Sequence, residues 1–291
     1  MIVTDIGFGS IPNIEEPEFD YLKTIIYEKT GISLAPHKKI MLQSRLNVRL
    51  RQNQIPNFQE YVKKLKFEPI FFQNEILEII NRVTTNKTDF FRENHHFEYL
   101  KSTAFPLLEE KNKINVKKTI RIWCSASSTG EEPYSIAITA FDYFQGKYGW
   151  DIKIYASDID TNVLSIADKG IYKEDRFVSI NKDIIAKHFI QVNGEDGREF
   201  KIKPNIRELI SFRKINLLET YPFSEKMDIV FCRNVIIYFD KPTQRKIFLN
   251  IEKIMHEESI LIIGHSETLF GISDNFKFLG HTIYQRKNST K

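Results

Sequence analysis

R-I-W-C-S-A-S-S-T-G-E-E-P-Y, from Arg121 to Tyr134, is the stretch whose reading decides the fold. Ile120 to Cys124 is a short apolar run and reads as a strand. Small residues follow from Ser125 to Gly130, then Glu131, Glu132 and Pro133. Ile136, Ala137, Ala140, Phe141 and Phe144 then recur at helical spacing. Strand, small-residue turn and helix make the first unit of a nucleotide-binding α/β fold. Small side chains let backbone N–H groups come close to a ligand. Pro133 suits the first turn of a helix, where its missing N–H costs nothing.

The start of that helix sets the ligand class. A phosphate site wants open N–H groups and no negative charge nearby. This turn carries two carboxylates and a single glycine, Gly130. It matches neither G-x-G-x-x-G nor the P-loop pattern. Two acids suit a ligand with positive charge, an ammonium or a sulfonium; S-adenosylmethionine has both and no phosphate. The same two acids would also complement the helix dipole. On this stretch alone both readings stand.

The chain has 291 residues, 42% of them hydrophobic, enough for one large domain or a main domain with a smaller companion. Lys and Arg number 42 against 38 Asp and Glu, a net charge of +4. So small an excess argues against wholesale nucleic-acid binding and confines any basic surface to a patch. Cys124 and Cys232 sit in apolar runs without a C-x-x-C or Cys/His set, so they read as buried thiols of a reducing compartment. The first ten residues, MIVTDIGFGS, have no basic segment followed by an apolar core. No apolar run approaches the ~18–20 residues of a bilayer span. The expectation is a cytoplasmic protein with no membrane insertion.

Residues 1–17 read as a loose lead-in. From Phe19 to Ile80 the pattern is helical. Phe19, Leu22, Ile25 and Ile26 form one stripe, which Gly31 closes. Helices are then expected over Pro36–Gln52, Phe58–Leu65 and Ile70–Ile80. The second holds Lys38, Lys39, Arg45, Arg49 and Arg51 and no acid. Lys38, Arg45 and Arg49 share a face, with Ile40, Leu46 and Leu50 turned towards a core. Missing acids at i±4 favour a docking surface for an acidic partner over an ordinary solvated face.

A linker from Asn81 to Phe97 crowds Phe90, Phe91, Arg92, His95 and His96 into a polar stretch, as a loop covering a site would. The two histidines are adjacent, and no carboxylate stands at ligand spacing, so no metal is expected. Lys153 to Ser157 is the second strand and ends in Asp158, where Rossmann-like folds hold ribose hydroxyls. A helix is expected over Thr161–Lys169 and another over Ile180–Ile190. Residues 191–213 then offer three short strand-like runs, an inserted antiparallel sheet whose edge could take a peptide. Asp228 to Cys232 is a core strand; Arg233, Asn234 and Tyr238 lie just beyond its end, where ligands bind. A helix from Lys241 to His256, a strand from Ser259 to Ile263 and a strand pair from Phe276 to Arg286 complete the chain.

The motifs T-T-N-K-T-D-F-F-R-E, S-T-G-E-E-P-Y-S-I-A, A-S-D-I-D, N-L-L, F-C-R-N-V-I-I-Y-F-D and G-H-S-E-T-L stand in this order. Together they resemble the chemotaxis receptor methyltransferases of the CheR type, over essentially the whole chain. The resemblance implies an α/β fold: a Rossmann-like methyltransferase domain with a small antiparallel β-subdomain inserted, preceded by a small all-α domain. The domains would be residues 1–80, a site-contributing linker 81–97, and 98–291 with the insert near 191–213. It implies methyl transfer from S-adenosylmethionine to glutamate side chains on the cytoplasmic helical region of chemoreceptors, with S-adenosylhomocysteine as product.

Carried over position by position, Asn86, Thr88 and Arg92 would touch the cofactor. Glu132 would hold its methionyl amino end, with Glu131 alongside, and Asp158 its ribose. Asn216 and Leu217 would border the adenine, and Arg233 and Asn234 would close the site. Arg92 and Tyr238 would flank the methyl and the incoming glutamate. Lys38, Arg45 and Arg49 would dock the receptor, and the inserted sheet takes a receptor tail peptide in some family members. A monomer is expected, with no nucleic-acid partner. The alternative is a non-catalytic module that senses S-adenosylmethionine or S-adenosylhomocysteine.

Overall fold

The computed structural model describes residues 12–178, 180–194 and 197–288. The expected lead-in therefore falls largely outside the described residues, as does the turn at 195–196 within the insert. The chain divides into two compact units, Met1–Thr85 and Asn86–Lys291.

Among the described residues, the first unit has four α-helices: α1 (Glu16–Thr30), α2 (Lys39–Gln52), α3 (Phe58–Phe67) and α4 (Pro69–Val83). Gly31 ends α1 in the left-handed conformation, and its N–H returns to the Tyr27 carbonyl. Asn57 caps α3 by accepting from the Glu60 N–H. Phe19, Leu22, Ile26, Leu42, Leu46, Leu50, Phe58, Tyr61 and Ile79 make one apolar core.

Two expectations about α2 need correction. Ile40 does not face the core but is 78% exposed, while Leu46 and Leu50 are buried as expected. Nor is the basic face without acids: they come from α4 instead of from α2 itself. Arg49 donates through Nε and Nη2 to Glu75, 2.7 Å each, and pairs with Glu78 at 3.3 Å. The Glu75 carboxylate is buried and also accepts from the Tyr61 hydroxyl. Arg45 donates to the carbonyls of Arg82, Val83 and Thr84, the unsatisfied acceptors at the end of α4. A count of i±4 partners cannot see acids brought by another helix. Lys38 stays exposed.

The second unit begins with α5 (His95–Tyr99), a π-helical turn (Leu100–Ala104) and α6 (Phe105–Lys111). Its main sheet has seven strands: β1 (Lys118–Cys124), β2 (Trp150–Asp158), β6 (Ile210–Lys214), β7 (Met227–Cys232), β8 (Met255–Ile263), β9 (Phe276–Gly280) and β10 (Ile283–Arg286). The order is β6-β2-β1-β7-β8-β10-β9. β6, β2, β1, β7 and β8 run parallel, and β10 pairs antiparallel with β8 and β9. The carboxyl halves of the central strands, Ile122 to Cys124 in β1 and Ile229 to Cys232 in β7, are buried and apolar, as strands covered on both faces must be. The crossover helices are α7 (Glu131–Phe144) after β1, α8 (Thr161–Lys169) after β2 and α11 (Lys241–Lys253) between β7 and β8. From β1 the chain moves outwards to β2; β7 then starts the other half on the opposite side of β1. That reversal opens a crevice beyond the carboxyl ends of β1 and β7, where such sheets bind ligands.

A second sheet of three antiparallel strands contains β3 (Ile171–Lys173), β4 (Phe189–Gly194) and β5 (Gly197–Ile202), in the order β3-β5-β4. The insert is present, but its membership differs from the sequence reading. The run at 208–213 belongs to the main sheet as β6, paired parallel with β2 from Ile154↔Ile210 to Asp158↔Lys214. The third strand of the small sheet is instead Ile171–Lys173, three residues that are too short to carry a period. The expected helix over Ile180–Ile190 contracts to α9 (Lys182–His188), capped by the Asn181 side chain, because Phe189 and Ile190 already pair with β5. A short helix α10 (Pro204–Arg207) leads into β6.

Candidate active site

The turn after β1 is held from three sides. Ser128 takes a positive φ of 47°, and its N–H donates to the Asp158 carboxylate at 2.8 Å. Its hydroxyl donates to the Asn86 carbonyl at 2.9 Å. Gly130 starts α7 at φ +101°, and a Cβ there would stand 2.6 Å from the Tyr172 hydroxyl and 2.9 Å from Ala167. Only glycine tolerates both the angle and the crowding.

The two acids that open α7 have different partners. Glu131 is fully buried and spoken for: Arg176 pairs with it and Thr129 Oγ1 donates to it at 2.6 Å. Arg176 also donates to the Thr88 carbonyl, which fastens the segment carrying Asn86 and Thr88. Glu132 faces the crevice. It accepts from the Cys124 thiol at 3.2 Å and from Arg233 beyond β7. Burial, together with the Glu132 carboxylate, pushes the Cys124 thiol far up, so it stays protonated.

Arg233 is the hub. One guanidinium nitrogen meets Glu132; another donates to the Arg92 carbonyl at 2.6 Å and lies 3.2 Å from Glu93. The side chain is fully buried, and its Nε has no hydrogen-bond partner. The hydroxyls of Ser125 and Ser127, in the turn after β1, are likewise buried without partners. Buried donors of this kind are expensive unless something else satisfies them.

Asp158, at the end of β2, is buried and accepts from the N–H groups of Ser128 and Asp160. Burial raises its pKa to about 6, against the pull of those N–H groups. Asp160 caps α8 through the Asn162 and Val163 N–H groups and accepts from the Asn86 side chain at 2.8 Å. Asn216 and Leu217 follow β6 at the same edge of the sheet; Leu217 is buried and Asn216 Oδ1 accepts from the Leu218 N–H.

The loops after β7 and β8 are tied by Glu267. Its carboxylate accepts from the backbone N–H groups of Asn234, Ile236, Ile237 and Gly264. Burial raises its pKa, and those four donors oppose the rise. A Cβ on Gly264 would lie 2.4 Å from the Asn234 side chain, so a glycine there is what lets Asn234 close in at its own positive φ of 55°. Tyr238 ends the 3-10 turn that starts at Ile236, and is half-buried.

The structure thus links Arg92, Glu132, Arg233 and Asn234 in one network and joins Asn86 to Asp158 through Ser128 and Asp160. The Arg92 guanidinium donates to the Lys87 carbonyl at 3.2 Å, so in this state it fastens its own loop. Sequence reasoning passed over Glu93, Asp160, Arg176 and Glu267 as site residues. Glu93, Asp160 and Glu267 stood within quoted motifs, the last two beyond the ends of β2 and β8. Arg176 gave no local signal.

The argument against a carboxylate near His95 and His96 also needs correction: candidate ligand atoms of Glu93, His95 and His96 lie within 4.8 Å of one another. Glu93, however, already accepts from Arg233, from the His265 N–H, from His265 Nδ1 and from Asn234 Nδ2. A carboxylate has about four lone-pair positions, so a metal would have to displace one of these donors. His96 donates through Nε2 to the His281 carbonyl, and burial together with Arg233 lowers its pKa to about 4.

The residues fit the methionyl end of S-adenosylmethionine. An α-amino acid group carries an ammonium, which the Glu132 carboxylate can face; Arg233, whose side chain has no exposed surface, fixes Glu132 from inside.

Comparison with known proteins agrees. Residues 86–285 match the family described as "CheR methyltransferase, SAM binding domain", and residues 17–84 match "CheR methyltransferase, all-alpha domain". The chain is 36% identical to a chemotaxis protein methyltransferase of Borreliella burgdorferi, over 94% of this chain and 95% of that one. It is 38% identical to chemotaxis protein methyltransferase 2 of Pseudomonas aeruginosa, over 92% of each. With the chemotaxis protein methyltransferase of Escherichia coli it shares 34% identity, over 93% and 91%.

Proposed function

This chain belongs to the CheR methyltransferase family, and from that premise we propose that it methylates glutamate side chains on the cytoplasmic helices of chemoreceptors. The observation that carries the reading is the Glu132 carboxylate at the sheet's switch point, fixed by the buried Arg233.

S-adenosylmethionine supplies an electrophilic methyl group on a sulfonium. The chain's own residues have to bind, align and dry the reactants. A glutamate carboxylate is already ionised near neutral pH, its reference pKa being about 4.3, so no general base is required. Positive donor and negative acceptor react to neutral products, and a water-poor site favours a step that removes charge. Alignment of acceptor, methyl and departing sulfur is then the main task. Arg92 and Tyr238 orient the incoming carboxylate and offset part of its desolvation. Asn86, Thr88, Asp158, Asn216, Leu217 and Asn234 hold the cofactor.

Lys38, Arg45 and Arg49 steer the glutamate-rich receptor helices by charge. Arg45 and Arg49 also hold α4, so Lys38 is the clean probe of docking. β3 and β4 are the edges of the small sheet, and either could accept a receptor tail strand.

The test is transfer of labelled methyl to receptor-rich membranes, read as base-labile ester. Arg92→Ala should lower kcat by about 10²-fold or more while cofactor binding persists. Unchanged kcat would remove Arg92 from the chemistry. Cofactor binding with no transfer to any receptor would leave a non-catalytic sensor.

A further inference from the structure

Phe270, in the loop after β8, is 93% exposed. A single exposed apolar residue is ordinary on a protein surface, but this one sits on a turn fixed from both flanks. Its N–H donates to Thr268 Oγ1 at 3.1 Å, and the Ile272 N–H returns to the Leu269 carbonyl at 2.9 Å. Leu269 is buried, and Gly271 takes a φ of +68°. Arg245 of α11 donates to the Gly271 carbonyl at 3.0 Å. An aromatic ring on a fixed backbone loses little freedom when a partner covers it.

The turn is tied to the loop that carries Tyr238. Glu267, three residues before Phe270, accepts from the N–H groups of Ile236 and Ile237. Ile237 is half-exposed, and α11 starts soon after it, at Lys241. That helix leaves from the carboxyl end of β7, so its first turns lie on the side of the sheet where the crevice opens. Lys241, Arg245 and Leu249 recur every fourth residue and make one exposed stripe along it. Within residues 237–249 and 264–274 three fixed cations are exposed, Lys241, Arg245 and Lys246. Of the acids there, Glu267 is buried under backbone N–H groups and Asp240 caps α11 through the Thr243 N–H; Asp274 alone is exposed. The rim is therefore apolar and positive.

We propose that Phe270, Ile237 and the Lys241–Arg245–Leu249 stripe form a docking surface for the receptor helix that presents the acceptor glutamate. A glutamate-rich amphipathic helix would set carboxylates against Lys241 and Arg245 and an apolar flank against Phe270. The surface is continuous with the loop of Tyr238, where the acceptor is expected. The inference rests on the glutamate-acceptor reading above, and it gives the catalytic unit its own part in choosing the helix.

The test is the initial rate of methylation against the concentration of receptor in receptor-rich membranes, with cofactor Kd measured by calorimetry. Phe270→Ala should raise the receptor KM about tenfold, the scale of an interface anchor, and leave kcat and cofactor Kd at their wild-type values. Lys241→Glu, at a helix start where an acid suits the dipole, should raise KM several-fold at low ionic strength. The second effect should fade as salt rises and the first persist, because screening acts on charge and not on apolar contact. An unchanged KM in Phe270→Ala would overturn the proposal. So would a fall in kcat with KM unchanged, the mark of a loop that only supports the site. Binding to receptor-free anionic vesicles, or dimerisation, that Phe270→Ala abolishes would assign this face to a bilayer or to a second copy and overturn it too. Wild-type protein that binds the cofactor and methylates no receptor would overturn the glutamate-acceptor reading along with it.

Discussion

Asp158 and Glu267 are both buried carboxylates that collect backbone N–H groups, yet they do different work. Asp158 sits at the end of β2, where a ribose would lie, with its pKa raised by burial to about 6. An acid whose folded pKa exceeds its unfolded value of about 3.9 opposes folding once ionised. That cost is absent below about pH 4 and complete above about pH 6. A ligand hydroxyl donated to the carboxylate would favour the ionised form. Cofactor affinity should therefore be flat above about pH 7 and weaken as pH falls through 6, approaching tenfold per unit; calorimetry from pH 8 to 5 reads it. A flat profile across that range would separate Asp158 from cofactor binding. Glu267 gathers its donors from the loop after β7, which carries Arg233, Asn234 and Tyr238, and from Gly264 after β8. Glu267→Ala strands several N–H groups at once, each worth about 1–3 kcal/mol when left unsatisfied in a buried place. The expected result is a lower melting temperature and methyl transfer reduced by at least about tenfold, measured by thermal unfolding and labelled-methyl assay.

At the scale of elements, α2 shows how a helix can be misjudged from its own residues. Arg45 and Arg49 looked uncompensated because their partners lie 26 to 39 positions further along, on α4 and its C-cap, while Lys39 reaches back to Glu16 on α1. Glu75 is nearly inaccessible and is shared by Arg49, Asn53 and Tyr61. Removing one member of such a buried pair leaves the other charged and unpaired, which costs about 3–5 kcal/mol. Glu75→Ala should lower the unfolding free energy of the helical unit by that amount, followed by helix signal in urea; a loss below about 1 kcal/mol would mean that water replaces the carboxylate. The small sheet makes a similar point. Two of its strands were legible from alternation and a turn signal. The third was assigned to Glu208–Arg213, because so short a strand-like run carries no mark of which sheet it joins. The open edge of β2 decided that.

For the molecule as a whole, a net charge of +4 is too small to set a partner, and local charge has to do so. Lys38 stands exposed at the start of α2, whereas Arg45 and Arg49 are partly occupied. Lys38→Glu should slow receptor methylation several-fold at low ionic strength, with the gap closing as salt shortens the screening length. The measurement is initial rate against salt for the two proteins. An identical salt profile would remove α2 from receptor docking. Among the described residues no helix is long and apolar enough to cross a membrane.

The sequence by itself determined the strand–turn–helix at 120–144, the helical character of residues 19–80 and the family, because these rest on local spacing and on motifs in a fixed order. It also placed Glu132 at the start of the first crossover helix and Asp158, Arg233 and Asn234 at strand ends, all on the side of a parallel sheet where its crevice opens. Tertiary structure alone decided how the charges pair: Arg176 with Glu131, Arg233 between Glu132 and Glu93, Arg49 with Glu75. These partners lie far apart in the chain, and an ion pair depends on distance in space, on which local sequence is silent.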